Sequence, residues 1–394
     1  MRSTLSRSLQ AWTVLAAVLF GCQCLIGSAV PQRKLMVVLP SDAEDAALRN
    51  RFLQGYAVGG SSVEDCGVSM PAVRWHGLKG EESPVQQLSR ISNLQLVVAP
   101  PSADVESFAA LSRQKQWTVV LPYQRGASLS TLRGLEERAH LWPIVPSRQD
   151  DLRATVRAAI SAGWGRAMVV EAPGAIEANA ASTFVDLYRA AGGLVESYES
   201  VPVQRVDPDD TARFNRFRDD MNWSWTATMV VADRPDGPLA ARLRQEQQRG
   251  ALGGGAPLSP NWVWLTEAES LTSLPEVPWR QLGLEHSARG KNWSVFRDAF
   301  RQRWHREPDL LAAAGYDTAR LLALVDAAPV PRTAEGEAQP LGWIDPAAAS
   351  VGLCEALHQR QLGQSLRVKA AASDFRLQGG RTPSGEASAK VLSS

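Results

Sequence analysis

Residues 292–325, NWSVFRDAFRQRWHREPDLLAAAGYDTARLLALV, are the stretch of this sequence that decides its fold. Aromatic residues recur at helical spacing at positions 293, 296, 300 and 304, which predicts one helix. The Glu307-Pro308 step ends that helix, because a residue that precedes proline is disfavoured in the helical conformation. A second, almost continuously apolar helix follows and contains the step Gly315-Tyr316-Asp317. The segment therefore predicts two consecutive helices, which any buried helix pair would also provide.

Short apolar runs alternate with helical periods in the first part of the chain. The runs KLMVVL, LQLVVA and WTVVL, at residues 34–39, 94–99 and 117–121, are apolar throughout. Such runs are typical of a sheet that is buried on both faces. The helical periods between them indicate right-handed parallel crossovers. Residues 34–121 are therefore predicted to form one doubly wound α/β unit.

A second unit of the same kind begins near Ser147. The pattern Ser147-x-x-Asp150 predicts a capped helix start. Strand-like runs follow at residues 167–171, 194–203, 226–232 and 261–266, and helical periods separate them. The chain is thus predicted to hold two α/β units.

The composition is that of an ordinary globular protein. The chain has 394 residues, enough for two domains, and its 44% hydrophobic and 21% charged residues allow substantial cores. The formal net charge of +1 is close to balance. This balance argues against nucleic acid or an anionic membrane surface as a partner.

The N-terminus has the pattern of an export signal. Arg2 and Arg7 precede an apolar stretch at residues 11–26, and small residues at 27–29 offer a cleavage site. Residues 1–29 are therefore predicted to be a signal peptide. A lipoprotein signal with a lipid anchor at Cys22 is the alternative, from which the bulky Phe20 departs. No later stretch of the sequence has the length and apolar character of a membrane span.

Two cysteines, Cys66 and Cys354, remain beyond the signal region. They would be able to pair in an oxidising compartment, but their wide separation equally suits two separately buried thiols. Neither has a nearby histidine that would suggest metal or nucleophilic chemistry.

Sequence patterns of catalysis are missing. The five histidines are scattered without metal-ligand spacing, and no G-x-S-x-G elbow is present. The glycines at 253–255 lack the Lys-Ser/Thr step of a P-loop. The sequence therefore predicts no enzyme, no cofactor and no metal site.

The order of these elements resembles that of type I periplasmic solute-binding proteins, the family of the leucine/isoleucine/valine-binding protein. Residues 292–325 are similar to the family's late helix pair. QDDLRATVRAAISAGWGRAMVVEAPG at 149–174 and FVDLYRAAGGLVESYESVPV at 184–203 are similar to two of its middle segments. The order of elements is specific, whereas each single motif is loose.

The resemblance implies two doubly wound parallel-sheet lobes joined by a three-stranded hinge. Lobe 1 is expected at 30–146 plus 288–350, and lobe 2 at 147–287 plus 365–394. The hinge crossovers are expected near 145–148, 284–290 and 345–370. Such a protein captures a small polar solute, an amino acid or amide, by lobe closure, and delivers it to an ABC transporter permease. The alternatives are a ligand-poor sensor or envelope interaction module on the same fold and, less favoured, an unrecognised α/β enzyme.

Candidate ligand-binding residues are those that directly follow predicted strands, because open parallel sheets bind ligands at the carboxyl ends of their strands. A zwitterionic ligand needs hydrogen-bond donors for its carboxylate and an acid for its ammonium group. The family places a ligand-binding serine near Ser102, although Ser102 also suits a helix N-cap. The other candidates follow later strands, and Glu267 is the expected partner of an ammonium group: Tyr123, Arg125, Ser128, Asp233 and Glu267.

Two departures from the family pattern affect the expected ligand. Residues 175–177 are Ala-Ile-Glu where a tyrosine often stacks over an amino acid, and Asp233-Arg234 is a charged step where small or aromatic residues are common. An ordinary branched-chain amino-acid specificity is therefore in doubt.

Asp317, inside an apolar helix, suits either a hinge-side hydrogen bond or an exposed turn.

Overall fold

The computed structural model describes residues 34–40, 46–80, 82–101, 103–125, 140–197, 201–224, 226–252, 260–271, 274–334, 336–373, 383 and 385–393. The predicted signal peptide, with Cys22, and the candidates Ser102 and Ser128 lie outside these ranges. No helix in the described ranges combines the length and the apolar character that crossing a bilayer requires.

The first sheet has five parallel strands in the order β2-β1-β3-β4-β5. Its strands are β1 (Leu35–Leu39), β2 (Val73–Gly77), β3 (Leu96–Val98), β4 (Thr118–Leu121) and β5 (Leu141–Pro143). Alternate residues of β1 and β4 enter opposite cores: Val37 and Val120 pack on one face, and Met36 and Val119 on the other. Both faces are thus buried, which is why the strands are apolar throughout.

The second sheet has seven strands along the path β14-β11-β10-β9-β6-β7, with β8 paired to β6. All neighbours are parallel except β14, which runs antiparallel to β11. The strands are β6 (Arg166–Glu171), β7 (Leu194–Val195), β8 (Val203–Arg205), β9 (Thr228–Ala232), β10 (Asn261–Trp264), β11 (Gln281–Arg289) and β14 (Glu386–Ser393). A separate two-stranded ribbon joins β12 (Ser350–Val351) to β13 (Arg367–Val368).

Helices connect successive strands, as the alternating pattern predicts. They are α1 (Ala46–Glu64), α2 (Pro84–Ser89), α3 (Val105–Lys115), α4 (Arg148–Ser161), α5 (Ala175–Ala190), α6 (Thr211–Ser224), α7 (Pro238–Gln248), α8 (Trp293–Trp304), α9 (Leu310–Asp326) and α10 (Leu353–Gln361). The two doubly wound sheets confirm the predicted fold class.

Three details differ from the sequence-based expectations. The strand predicted over residues 194–203 is two short strands, β7 and β8, which pair with different parts of β6. The sequence predicts a helix over residues 43–58, whereas helix α1 continues to Glu64. Ser147 is the N-cap of α4, but its side chain makes no capping hydrogen bond. The helix therefore begins at Ser147 without a capping hydrogen bond from the serine hydroxyl.

The predicted helix pair consists of α8 and α9. Helix α9 is buried along nearly its whole length and packs closely against α1. A Cβ atom on Gly315 would lie 2.0 Å from the carbonyl oxygen of Phe52, and one on Gly55 would lie 1.7 Å from that of Ala312. Only glycine permits this approach of two helix backbones. The glycine in the Gly315-Tyr316-Asp317 step is thus explained by helix packing.

Asp317 is buried and forms a hinge-side hydrogen-bonded contact, which excludes the exposed-turn interpretation. Its carboxylate accepts hydrogen bonds from the backbone N–H groups of Ala371, at 3.0 Å, and Ala372, at 2.6 Å. The Ala371 carbonyl accepts a bond from Gly290 N–H at 2.8 Å, just after β11. Asp317 therefore fixes the segment at 371–372 beside the crossover at 288–290.

Residues 366–372 pack with the elements around the first sheet. Leu366 and Val368 belong to the core that contains Val37, and Ala371 packs in the cluster that contains Phe296. The chain then reaches β14 on the second sheet. The transfer between the two sheets thus follows residue 373.

Cys66 and Cys354 form a disulfide, with their Cα atoms 5.1 Å apart. This settles the open choice between pairing and separate thiols. The bond joins the end of α1 to the start of α10 and closes a loop across 288 positions of sequence. Both partners therefore lie on elements that pack around the first sheet.

Removing this disulfide, by reduction or by replacing both cysteines with alanine, is expected to lower the free energy of unfolding by about 2–4 kcal/mol, because the unfolded chain regains the freedom of a long loop. Denaturant unfolding with and without a reductant measures the effect. The double alanine variant is the control and should not respond to the reductant. An unchanged wild-type midpoint after complete reduction would contradict the prediction.

Candidate functional site

A cavity of about 650 Å³ lies where carboxyl ends of strands from both sheets meet. The residues after β4 reach it from the first sheet, and those after β6, β9 and β10 reach it from the second. Parallel sheets place the loops that contact ligands at these ends. The lining residues that matter most are Tyr123, Arg125, Arg148, Ile176, Asp233 and Glu267.

Arg125 lies at the centre of the charged side of this cavity. Its guanidinium is buried and donates to Asp151 Oδ2 at 2.7 Å, to Glu267 Oε1 at 3.2 Å and to the Pro146 carbonyl at 3.3 Å. Burial by itself lowers the pKa of Arg125, but the nearby carboxylates of Asp151 and Glu267 raise it above the ordinary value of arginine. Arg125 therefore stays charged and is held in one orientation.

Glu267 is shared between two arginines. Besides Arg125, its Oε1 contacts the Arg148 guanidinium at 3.0 Å. Arg148 also donates to the carbonyl of Leu265, the residue that follows β10. The charge of Glu267 is thus compensated by two cations, which makes it a poorer partner for an ammonium group than a carboxylate without such neighbours.

Asp151 connects this group to the crossover segment. The residue is fully buried at 0% exposure, and its Oδ1 accepts the backbone N–H of Ala288 in β11 at 2.6 Å. Arg125 follows a first-sheet strand, whereas Asp151 and Ala288 belong to elements around the second sheet. The Arg125–Asp151–Glu267–Arg148 cluster, here termed the interlobe ion cluster, therefore ties the two sheets together at the base of the cavity.

Tyr123 lies beside the interlobe ion cluster. Burial, and then the charge of Glu267, raise the pKa of its phenol well above the usual value. Tyr123 is therefore neutral at physiological pH, and its hydroxyl keeps the ability to donate a hydrogen bond into the cavity.

The opposite wall is formed by the first turn of α5. Gly174 is the N-cap of this helix and provides no side-chain cap. Ile176 in that first turn lines the cavity and is 74% exposed, unusually high for a large apolar residue. Ala180, Ala232 and Leu265 add further apolar surface. The cavity thus combines the charged groups around Arg125 with a second wall on which apolar residues lie beside Glu177 and Asn179.

Asp233 serves as a structural carboxylate. It accepts the backbone N–H groups of Arg234 at 2.8 Å and of Ala240 at 2.9 Å, and so caps the start of α7. Burial raises the pKa of this carboxyl, while the two backbone hydrogen bonds act against that shift. A side chain on Gly237 would collide with Asp233, since its Cβ would lie 2.2 Å from Oδ1. Arg234, which also lines the cavity, pairs with the exposed Asp236 at 3.5 Å.

The structure brings together four predicted site residues, since Tyr123, Arg125, Asp233 and Glu267 all line the same cavity. The N-cap role that Ser102 also suited is filled by a different residue. Asp104 is the N-cap of α3, and its carboxylate accepts the N–H groups of Glu106 and Ser107.

Sequence reasoning missed Arg148, Asp151 and Ile176. From the sequence, the pair Asp150-Asp151 suits helix caps or solvated positions; in the structure Asp150 pairs with Arg153 at 2.7 Å, and Asp151 is fully buried against Arg125. The available signal was the position of Arg148 and Asp151 directly after the first expected crossover. Position alone does not tell which of several charged residues turns inward.

The sequence matches no family model and no curated protein. The structure, however, is similar to solved transporter proteins. A putative branched-chain amino acid ABC transporter protein from Rhodospirillum rubrum has a TM-score of 0.61 at 14% identity, over 91% of this chain and 97% of that one. An ABC transporter substrate-binding protein from Desulfitobacterium hafniense, in complex with Leu, has a TM-score of 0.56 at 16% identity, over 91% and 96% of the two chains.

A third similar structure is a solute-binding protein of an ABC transporter from Rhodopseudomonas palustris BisB5, in complex with 3,4-dihydroxybenzoic acid. Its TM-score is 0.51 at 14% identity, over 75% of this chain and 81% of that chain. At such identities the likeness establishes the fold. It agrees with the two sheets described above.

Proposed function

We propose that this chain, which has the fold of type I periplasmic binding proteins of ABC transporters, is an extracytoplasmic solute-binding receptor that captures a small solute in the 650 Å³ cavity. The observation that carries the proposal is the convergence of strand ends from two sheets on one cavity. Ligand sites of this size and position are typical of open α/β sheets. Capture needs no bond to be made or broken.

A small organic carboxylate is the ligand class that the cavity favours. Leu and 3,4-dihydroxybenzoic acid, which are bound by two of the similar proteins, both carry a carboxylate. In this chain Arg125 and Arg148 supply two cations, and Ile176 and Leu265 supply apolar surface for the rest of the solute. Arginine binds carboxylates with strong, directional hydrogen bonds. We infer that the solute carboxylate displaces Glu267 from these arginines.

Transport would follow from lobe closure. A ligand that contacts both lobes favours the closed state by its higher affinity for that state.

We place lobe 1 at 30–146 plus 288–373 and lobe 2 at 147–287 plus 385–394, which moves the third crossover beyond its expected position. The closed form would dock on an ABC transporter permease outside the cytoplasm. Export by residues 1–29, or anchoring at Cys22, belongs to the same proposal.

A ligand-poor sensor or envelope interaction module is the second candidate function. The observation in its favour is the interlobe ion cluster, in which the carboxylates of Asp151 and Glu267 already pair with Arg125 and Arg148. In such a protein the cluster would keep the lobes together permanently, and no small solute would displace Glu267.

The decisive experiment is a thermal-unfolding panel of amino acids, amides, aliphatic carboxylates and aromatic carboxylates. A receptor is expected to be stabilised by about 2.7 kcal/mol when the ligand is at one hundred times its dissociation constant. Carboxylates should dominate the positive responses. No response to any member of the panel would favour the sensor function instead.

The variant Glu267→Gln separates the two possible roles of this residue. If the solute carboxylate competes with Glu267 for the arginines, removing the negative charge should raise the affinity for a simple carboxylate about tenfold. If Glu267 instead holds an ammonium group, the affinity for amino acids should fall. Glu276→Gln, at an exposed position outside the cavity, is the matched control. Titration calorimetry measures both variants, and an unchanged affinity in Glu267→Gln would remove Glu267 from the site.

A further inference from the structure

The charged residues that line the 650 Å³ cavity are unequally compensated. They comprise three arginines and three acids: Arg125, Arg148, Arg234, Glu177, Asp233 and Glu267. Each arginine has a carboxylate oxygen within 3.5 Å, and Asp233 accepts two backbone N–H groups. Among the residues that the structure describes, Glu177 is the lining residue whose charged group has no ion-pair or hydrogen-bond partner. The cavity therefore holds an uncompensated negative charge.

Glu177 lies in the first turn of α5, next to the exposed Ile176. It is partly exposed and lines the cavity, so its side chain is accessible to a solute there. A Cβ atom on Gly174 would lie 2.0 Å from Glu177 Oε2, so the carboxylate lies against the N-cap of the helix. Negative charge is stabilised at a helix N-terminus. The carboxylate thus occupies the helix start, where it repels a solute carboxylate and attracts a cation.

The charge of Glu177 acts across this wall of the cavity. Burial is the main cause that raises the pKa values of Glu171 and Asp233, and the charge of Glu177 adds to both shifts, although nearby arginines act in the opposite direction. Arg125 and Arg148 belong to the other side of the cavity, and their ion pairs in the described part of the chain are with Asp151 and Glu267. The two sides of the cavity therefore carry separate charges of opposite sign.

We propose that Glu177 binds a cationic group of the captured solute; this inference rests on the function proposed above, in which Arg125 and Arg148 bind the solute carboxylate. An ammonium group donates charge-assisted hydrogen bonds, and a carboxylate accepts them. Ile176 is 74% exposed and provides apolar surface next to Glu177 for the methylene groups that join the two charged ends of the solute. The opposite charges of the two walls also set the orientation in which the solute binds.

The solute class that fits both walls is an amino acid whose ammonium and carboxylate lie at opposite ends of a methylene chain. An α-amino acid carries both groups on one carbon, so its ammonium lies beside the arginines when its carboxylate binds them. At that place Glu267 is already shared between two cations. A methylene chain instead carries the ammonium toward Glu177, and a cavity of about 650 Å³ has room for such a solute.

Titration calorimetry with matched pairs of solutes tests this inference. The pairs are propionate with β-alanine, butyrate with γ-aminobutyrate, and valerate with δ-aminovalerate, so that the members of a pair differ by one terminal ammonium group. In the wild-type protein the ammonium is expected to raise the affinity at least about tenfold in the pair whose length fits best. The α-amino isomer of the same length should bind less tightly than the terminal amino acid.

Glu177→Gln should remove this gain, so that the two members of each pair bind with similar affinity. Asp186→Asn, at an exposed position of α5 outside the cavity, is the matched control and should keep the gain. A merely structural role of Glu177 at the helix start would lower stability and leave the ratio of affinities within a pair unchanged. Glu177→Ser, a second neutral variant, keeps the test decisive if Glu177→Gln fails to fold.

Arg148→Gln distinguishes a failure of this inference from a failure of the proposed function. It should weaken both members of a pair to a similar extent, because both use the same carboxylate. If the carboxylates bind but the terminal ammonium adds no affinity, or if the neutral variants of Glu177 keep the gain, this inference is wrong and the proposed function stands. If no member of any pair binds to the wild-type protein, the inference is overturned together with the carboxylate ligand proposed above.

Discussion

Replacing Asp151 with alanine is expected to lower the free energy of unfolding by about 3–5 kcal/mol, the usual loss when one partner of a buried ion pair is removed. The substitution leaves the buried guanidinium of Arg125 without its 2.7 Å partner and the Ala288 N–H without its acceptor. Because Arg125 then retains only the partly exposed Glu267 carboxylate and the Pro146 carbonyl, little compensation is available. Urea unfolding of both proteins at neutral pH measures the loss.

Asp150→Ala is the matched control for this experiment. Asp150 is the preceding residue and pairs with Arg153, whose side chain is 45% exposed. Exposed ion pairs contribute little, so a loss below about 1 kcal/mol is expected. In addition, Arg125→Met in the Asp151→Ala background should recover part of the lost stability, since the buried guanidinium that lost its partner is then removed. Equal losses in Asp150→Ala and Asp151→Ala would show that the interlobe ion cluster contributes no more to the free energy of unfolding than the Asp150–Arg153 pair does.

Replacing Asp317 with alanine is expected to cost about 3–5 kcal/mol of unfolding free energy at pH 8, where its carboxylate is ionised beside Arg320. The carboxylate is completely buried, accepts the N–H groups of Ala371 and Ala372, and lies 3.4 Å from the buried guanidinium of Arg320. Its removal orphans two backbone donors and one cation at the place where the crossovers meet. Asp326→Ala, at the exposed end of the same helix, is the control and should change stability by less than about 0.5 kcal/mol.

The loss in Asp317→Ala should also depend on pH. Desolvation raises the pKa of Asp317 to about 6 from an ordinary value of 3.8, although Arg320 and the backbone N–H groups oppose the shift. The folded state therefore holds this proton more tightly than the unfolded state. The associated stabilisation is present at low pH and is lost as the pH rises through about 6. The difference between wild type and Asp317→Ala should accordingly be larger at pH 5 than at pH 8, and the reverse trend would contradict the assigned cause.

The main elements of the fold were predictable because their signals are local. An apolar run such as TMVVA in β9 predicts a strand that is buried on both faces, whatever its position in the sheet. The spacing of Phe296 and Phe300 likewise identifies the buried side of α8. The division of residues 194–203 into two strands was not predictable. The apolar content of residues 194–203 is compatible with one strand. Which of these residues form strands is decided by their pairing with β6 in the folded sheet.

The cavity was predictable in part for a related reason. Residues that follow parallel strands must come to one edge of a sheet, so Tyr123, Arg125, Asp233 and Glu267 were found from strand positions alone. Their actual partners were not found. Asp233 was expected to contact a ligand, and the structure shows that it caps α7. Glu267 was expected to be available for an ammonium group, and the structure pairs it with two arginines.

The sequence by itself thus determined the two sheets, their helical crossovers and the edge at which the cavity lies, because hydrophobic periodicity and strand order act over short stretches of chain. Only the tertiary structure decided the charge pairing. Arg125 meets Asp151 and Glu267 across 26 and 142 positions of sequence. Coulomb energies depend on distance and burial, and both are fixed only when the two sheets come together.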